Sequence, residues 1–294
     1  MSAPWSGRRR LDGLRRRPGE SAMGRLGPMV YGGIVIAFVL LRLLGVPPWD
    51  QSVDAYAYWS TRDGDYYTGA VGRIGAYVYP PIFAQAIAPI TWLPWPAFNA
   101  LWTLMNCLAL AALAGRWAAL ALLVLPIPFE IVSGNIHLLM ALAIVIGFRH
   151  PAAWAFVLLT KATSGVGLLW FAVRREWRPL AVAGGTAVAL AGVSVLLDPA
   201  AWRRWLDLVI GGGVASDSPG WWLPVPLPIR LALAAVVVGW GGLTDRRWTV
   251  GVAGTIALPV LWLNGLAVGA ALLPELRDKL GESRSPQARH TAGG

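Results

Sequence analysis

Lys161 is the residue whose type and position say most about chemistry. The sequence has only two lysines, and the other, Lys279, lies near the C-terminus. Lys161 begins the polar stretch KATSG inside an apolar run, and a lysine at membrane depth costs about 2.5–3.5 kcal/mol unless it meets an anion or water. Two interpretations remain open: the ammonium binds a phosphate group, or the side chain extends from a loop to the membrane interface.

A carboxylate, Asp54, lies between the first two apolar segments, and Tyr56 and other aromatic residues follow it closely. A carboxylate partly removed from water binds protons more readily, which suits a general base that activates a hydroxyl group. Asp54 is therefore a candidate catalytic residue, and Tyr56 a candidate sugar contact. The alternative is that Asp54, like its neighbours Asp50, Asp63 and Asp65, is a solvated loop charge.

A second polar stretch, EIVSGNIH at residues 130–137, interrupts another apolar run. Asn135 and His137 could bind a sugar or an acceptor here, or they could cap helix ends. The sequence has three histidines and one cysteine, Cys107, with no metal-ligand spacing. We therefore expect neither a metal site nor a disulfide.

The composition indicates a membrane protein. Of the 294 residues, 56% are hydrophobic and only 14% are charged, whereas soluble domains carry about 25% charged residues. This excludes a soluble enzyme. Half of the net charge of +10 comes from residues 1–27, where seven arginines face two acids. Such a cluster before the first apolar segment is typical of a cytoplasmic tail, not of a nucleic-acid-binding arm.

The pattern of apolar segments predicts an all-α polytopic membrane protein with about ten crossings, several of them broken or short. Basic residues between the segments mark the cytoplasmic side. We expect a basic cytoplasmic tail at residues 1–27, an integral membrane domain at 28–274 and a polar tail at 275–294. The clear apolar spans are predicted at residues 28–46, 97–115, 179–197 and 225–243, with a loop at 198–224 and a broken final run at 248–273.

Residues 47–96 are predicted to form an outer juxtamembrane loop. Residues 47–76 carry a net charge of −2, as a translocated loop should. Residues 77–96 contain five prolines and two tryptophans, which disfavours a spanning helix. We therefore expect this second part to lie along the membrane surface.

The order of these features resembles the polytopic glycosyltransferases of the C superfamily, and most closely glycosyltransferase family 87, over about residues 53–273. In this sequence Asn264 stands where that family often has a histidine. The resemblance rests on Asp54 with Tyr56, on Tyr77 to Phe83 with Pro89 and Leu93-Pro94, on Leu101-Trp102 with Asn106, on Gly134-Asn135 with His137, on Thr160-Lys161 before Arg174 to Arg178, and on Leu258-Pro259 with Trp262.

The resemblance implies an inverting hexosyltransferase of the bacterial plasma membrane that uses a polyprenyl-phosphate sugar, mannose-like, as donor and a lipid or glycan as acceptor. Asp54 would act as general base and Lys161 would meet the carrier phosphate, without a cofactor. The candidate substrate contacts are Lys161, Asn135, His137, Tyr56, Tyr79, Asn264 and Trp262. The alternative function is a transporter or lipid flippase in which Lys161 binds an anionic substrate.

Overall fold

The computed structural model describes residues 22–69, 71, 73–211 and 225–282, and in these residues the chain is helical and contains no strand. The predicted all-α class is confirmed. The α-helices are α1 (Ala22–Leu43), α2 (Val53–Trp59), α3 (Pro81–Thr91), α4 (Trp95–Ala114), α5 (Ala118–Ala121), α6 (Pro126–Ser133), α7 (His137–Gly147), α8 (Trp154–Thr160), α9 (Leu169–Val173), α10 (Trp177–Leu197), α11 (Pro199–Ile210), α12 (Leu227–Thr244), α13 (Trp248–Ile256) and α14 (Leu273–Glu282). Short 3-10 helices lie at Ser60–Asp63, Gly115–Trp117, Pro151–Ala153, Ala162–Leu168 and Leu263–Leu272.

Four helical segments of the described chain are long and apolar enough to cross a membrane: Leu26–Leu43, Trp95–Ala121, Trp177–Leu197 and Leu227–Thr244. A fifth crossing is possible if α6 and α7, which meet at an angle of 111°, form one broken span. Three shorter apolar helical segments, Pro81–Thr91, Pro151–Thr160 and Ala162–Val173, and the nine-residue α13 are too short to cross the hydrocarbon core alone. The chain is thus a helical membrane protein, but about ten crossings are not confirmed.

Helix α4 occupies the centre of the protein. About 61% of the spanning segment Trp95–Ala121, which begins with α4, is buried inside the protein, compared with 11% for the segment of α1 and 17% for α10. Apolar side chains on α1 and α10 therefore face outward, as expected for helices that contact lipid. On α4, the rings of Phe98 and Trp102 stack at 5.6 Å and lie in the main hydrophobic core.

The predicted interruptions of the apolar runs coincide with breaks between helices. Gly134 separates α6 from α7, and Lys161 separates α8 from the following 3-10 helix. Near the C-terminal end, α13 stops at Ile256, three residues before Pro259, and a 3-10 helix resumes at Leu263. The three breaks bring non-helical backbone and polar side chains into the membrane domain.

Several boundaries differ from the sequence-based expectations. Helix α1 begins at Ala22, so the helix includes part of the predicted tail, and residues 1–21 lie outside the described part. Helix α3 forms within residues 77–96 because Pro81 occupies its first turn, where the missing N–H is not needed. It has 11 residues, so it is too short to span the membrane, in line with that part of the prediction.

Two further helices lie where loop or tail was predicted. Helix α11 lies in the predicted loop 198–224. The helix forms there because the Asp198 carboxylate caps its start, accepting from the Ala201 N–H at 2.8 Å, and because Pro199 occupies its first position. Residues 212–224 lie outside the described chain. Helix α14 covers the start of the predicted polar tail, where Lys279 and Glu275 form an ion pair one turn apart at 2.7 Å.

Candidate functional site

Asp54 lies in the first turn of the short helix α2, which is fastened to the break after α6. The Ser52 hydroxyl donates to the Val132 carbonyl at 2.9 Å, and the Arg42 guanidinium donates to the same carbonyl at 2.8 Å. Arg42 also donates to the carbonyl of Gln51 and is fully buried. A buried guanidinium thus holds the start of α2 against α6.

The bend between α6 and α7 depends on Gly134. This residue has φ = +72°, and its missing Cβ would lie 2.5 Å from the Ser52 hydroxyl oxygen and 2.7 Å from the Ala55 Cβ. Both a left-handed conformation and a close approach of α2 therefore require glycine here. The carbonyl of Gly134 accepts from the Trp102 indole N–H at 2.7 Å, which links the bend to the central helix.

Asn135, directly after the bend, is held by two tyrosines. Its Oδ1 atom accepts from the hydroxyl groups of Tyr58 at 3.2 Å and Tyr79 at 3.1 Å, and from the Ile136 N–H at 2.8 Å. Asn135 also hydrogen-bonds to the Asp54 carboxylate. The amide thus has a fixed orientation beside the candidate base.

The third break supplies Asn264. Its amide Nδ2 donates to Asp54 Oδ2 at 3.3 Å and to the Ser133 hydroxyl at 3.1 Å. The preceding non-helical residues are held by Arg230, which donates to the carbonyls of Ile256, Leu258 and Pro259 at 3.2, 2.7 and 2.9 Å. A guanidinium near the start of an apolar helix needs hydrogen-bond acceptors, and these carbonyls, with that of Val225 at 3.1 Å, are its partners.

Lys161 follows the last residue of α8 and is oriented by its contacts. Its Nζ lies 2.7 Å from His137 Nε2 and 5.6 Å from the centre of the Tyr79 ring. On the other side of the imidazole, His137 Nδ1 lies 2.9 Å from Glu130 Oε2. Glu130 and His137 are 0% and 2% exposed, so the lysine stands at the end of a buried chain of three polar side chains.

These segments surround one cavity of about 440 Å³. It lies where α2, the three helix breaks and the loop before α3 meet. The polar and aromatic groups of its wall include a carboxylate, an ammonium, a guanidinium, two amides, four hydroxyl groups and an indole. The lining residues that bear on chemistry are Asp54, Tyr58, Arg73, Tyr79, Ser133, Asn135, Thr160, Lys161, Trp262 and Asn264.

The electrostatic environment raises the pKa of Asp54 above its ordinary value. Burial is the main cause, and the negative charge of Glu130 adds to it. Hydrogen bonding from Asn135 and the positive charge of Lys161 oppose the rise. A carboxylate with a raised proton affinity can accept a proton from a hydroxyl group more effectively.

The cavity brings together most of the predicted site residues. Of the four acids in the first loop, Asp54 lines the cavity, whereas the Asp63 side chain is 78% exposed and pairs with Arg62. Lys161, Tyr79, Asn135, Trp262 and Asn264 line it too, and His137 contacts Lys161 from behind.

Tyr56 and His137 are the two predicted site residues that do not line the cavity, and of these Tyr56 also has no contact with Lys161. Tyr56 follows Asp54 by two positions on α2, which turns its side chain about 200° around the helix axis. The ring packs on Trp59 and Trp95, at centroid distances of 5.7 and 5.3 Å, and does not line the cavity. A role of Tyr56 in substrate binding stays a prediction.

Two residues of this region were missed by sequence reasoning. Glu130 was noted only as part of a polar stretch, although it is the one acid between residues 118 and 147. A lone carboxylate in so apolar a run is costly unless it has a partner, and that cost is the signal that could have identified it. Arg73, at the cavity wall, gave no sequence signal beyond its charge.

The described chain is thus a helical membrane protein with a polar cavity that is equipped to bind hydroxyl-rich and anionic groups. A family model described as "Glycosyltransferase family 87" matches residues 77–276. The chain belongs to glycosyltransferase family 87 and is a membrane glycosyltransferase. Asp54 lies before the matched region.

A curated relative supports the assignment. It is the polyprenol-phosphate-mannose-dependent alpha-(1-2)-phosphatidylinositol pentamannoside mannosyltransferase of Mycolicibacterium smegmatis. The two sequences are 22% identical over 308 residues, which cover 84% of this chain and 74% of the relative. No solved structure matches the chain significantly.

Proposed function

We propose that the protein transfers a hexose, mannose-like, from a polyprenyl-phosphate sugar to a lipid or glycan acceptor, with inversion at the anomeric carbon. The observation that carries this proposal is the presence of Asp54 and Lys161 in the wall of one cavity. A carboxylate for the acceptor and a cation for the carrier phosphate are the two groups that such a transfer needs. The donor named for the Mycolicibacterium relative supports the same substrate class.

In the proposed reaction, Asp54 accepts the proton of the acceptor hydroxyl while the hydroxyl oxygen attacks the anomeric carbon. The bond from that carbon to the phosphate oxygen breaks, and its electron pair leaves with the polyprenyl phosphate. Lys161 compensates the negative charge that develops on the phosphate. Because the phosphate is a good leaving group, the proposed reaction uses no cofactor.

The remaining cavity residues have roles in holding the sugar. Trp262 is 40% exposed at the cavity wall, so its ring offers an apolar face to a pyranose. Asn135 and Asn264 offer amide groups for sugar hydroxyls and also hydrogen-bond to Asp54. Two amides fixed on one carboxylate orient the base before the substrates bind.

The proposed orientation follows from the distribution of charge. With residues 1–27 in the cytoplasm, α1 crosses the membrane and residues 47–96 lie on the outer side. Asp54 and the cavity mouth then face the outer surface of the bacterial plasma membrane. We propose residues 28–274 as the catalytic membrane domain, between the basic tail and the polar tail at 275–294.

The test is a transfer assay in membranes with a radiolabelled polyprenyl-phosphate hexose and total membrane lipids. Asp54→Asn should lower transfer about 100- to 10,000-fold, as loss of a general base does. Asp63→Asn is the matched control, because this acid is on the same loop but 78% exposed at its side chain. Equal activity of Asp54→Asn and the native chain would refute the assigned base. Labelled donor that crosses the membrane without product formation would favour the transporter alternative.

A further inference from the structure

The buried chain from Glu130 through His137 to Lys161 is not explained by the proposed reaction itself. Glu130 and His137 do not line the cavity, so neither is placed to touch a substrate there. Burying a carboxylate and an imidazole in a membrane domain costs free energy. The contacts of His137 with Glu130 and with Lys161 offset part of this cost, and they also act on the lysine that lines the cavity.

The carboxylate of Glu130 is held at the start of α7. Its Oε1 atom accepts the backbone N–H of His137 at 2.6 Å, and its Oε2 atom lies 2.9 Å from His137 Nδ1. The first N–H groups of a helix have no partner within the helix, and a negative charge is favoured there. The hydrogen bond from the His137 N–H and the position at a helix start both favour the ionised form of Glu130, which can only accept hydrogen bonds.

The two neighbours of His137 select the same ring tautomer. Toward an ionised Glu130, which only accepts, Nδ1 carries the proton and donates it to Oε2. An ammonium group only donates, so Nε2 must offer its lone pair to Lys161 Nζ, which lies 2.7 Å away. Both requirements are met by one neutral imidazole with a proton on Nδ1.

This arrangement determines where the lysine charge points. One of the three ammonium N–H groups is directed to His137, and the remaining ones are left for other acceptors. The Tyr79 ring, 5.6 Å from Nζ, faces the same ammonium. Since Lys161 lines the cavity, the remaining N–H groups are available to an anion inside it.

We propose that Glu130 and His137 are positioning residues, which hold the Lys161 ammonium toward the cavity through the Nδ1–H tautomer of His137. The proposal rests on the proposed function only in that the anion is the carrier phosphate. It assigns Glu130 and His137 to donor recognition without contact with the donor. In the same way, groups behind a metal ligand fix its tautomer and direction.

The first test reads the tautomer directly. The chain has three histidines, so a His150→Gln, His290→Gln background leaves His137 as the source of imidazole signals. In ¹⁵N-histidine NMR of this detergent-solubilised protein, we expect a protonated Nδ1 and an unprotonated Nε2. A protonated Nε2 at neutral pH, in the neutral ring or in the imidazolium, would overturn the proposal.

The second test exchanges the carboxylate for an amide. In Glu130→Gln, the amide oxygen can still accept the His137 backbone N–H, so the start of α7 keeps its hydrogen bond. The amide nitrogen then faces Nδ1 and donates to it, which moves the ring proton to Nε2. Two donors, Nε2–H and the ammonium, would then oppose each other, and the lysine should move away.

The effect of the displaced lysine on phosphate affinity is measured by calorimetry in detergent, with a short-chain polyprenyl phosphate as the ligand. Glu130→Gln should raise the Kd about 10- to 100-fold, the range for loss of a hydrogen bond to a charged group. The control is Ser164→Ala, which removes a buried hydrogen bond to Gly254 from the 3-10 helix after Lys161; its Kd should be unchanged.

Each result decides between a positioning and a merely structural role. An unchanged Kd in Glu130→Gln, or an equal rise in Ser164→Ala, would overturn the proposal. If Glu130→Gln does not fold, the tautomer of His137 in the native ring still decides it. If the native chain binds the phosphate but transfers no hexose, the proposed function fails while this inference stands.

Discussion

Gly134 tests how the site is assembled. The effect of its left-handed conformation can be measured separately from the effect of its close contact with α2. A Cβ at this position would lie 2.5 Å from the Ser52 oxygen and 2.7 Å from the Ala55 Cβ. Normal contacts are about 3.5–4.0 Å, so α2 must move by roughly 1 Å. Asp54 lies on α2 and would move with it. A shift of that size in a catalytic group can lower the rate about 100-fold.

Gly64→Ala is the matched control for Gly134→Ala. Gly64 also has positive φ, +80°, but no atom lies within 4 Å of its added Cβ. Both variants should lose the roughly 1–2 kcal/mol that a left-handed alanine costs. Thermal unfolding in detergent and the radiolabelled transfer assay measure the two effects. Similar transfer rates in the two variants would show that contact of Gly134 with α2 does not position Asp54.

Three further predictions concern single side chains. The raised pKa of Asp54 makes the folded chain bind more protons than the unfolded one, so its contribution to stability falls as pH rises above about 4. The melting temperature of Asp54→Asn should therefore increase relative to that of the native chain as pH rises above about 4, and a difference that stays constant with pH would contradict this. Lys161→Met should reduce the thermal shift produced by a short-chain polyprenyl phosphate, whereas Lys161→Arg should keep part of it; equal shifts in native and Met proteins would remove Lys161 from the site. Arg230→Leu leaves four backbone carbonyls without their donor and should cost about 1.5–3 kcal/mol of stability in thermal unfolding. The exposed Arg203→Leu is its control, and an equal loss in both would refute the role of Arg230.

The sequence predicted two features of the fold: the helical membrane class, from its composition, and the positions of the helix breaks, from local polar stretches. Apolar runs interrupted by the polar stretches at residues 130–137 and 161–165 predicted broken helices, because polar groups at membrane depth are costly unless they lie at a turn or line a cavity. Helix α11 was missed because its cap at Asp198 is a local signal within a stretch that looked like a loop. The number of crossings could not be derived from the sequence. A helix shorter than the hydrocarbon core can cross together with a second helix, turn back to the same side, or lie along the membrane surface.

For the site, residue type was a better guide than residue spacing. Lys161 was chosen because a charge within an apolar run needs a partner, and Asp54 because aromatic residues follow it closely; both line the cavity. The same argument applied to Glu130, but its partner His137 lies across a bend whose angle is not written in the sequence. Tyr56 shows the converse, since its place beside Asp54 in sequence puts it on the other side of α2.

The contact between Asn264 and Asp54 joins residues 210 positions apart. At a synthesis rate of about 5–20 residues per second, at least about ten seconds separate the appearance of these two residues at the ribosome. During that time Asp54, Glu130 and Lys161 enter the growing membrane domain without the segment that later covers them. The cavity is therefore completed late in biogenesis, and a chain that stops before residue 264 would leave these charges exposed at an unfinished wall.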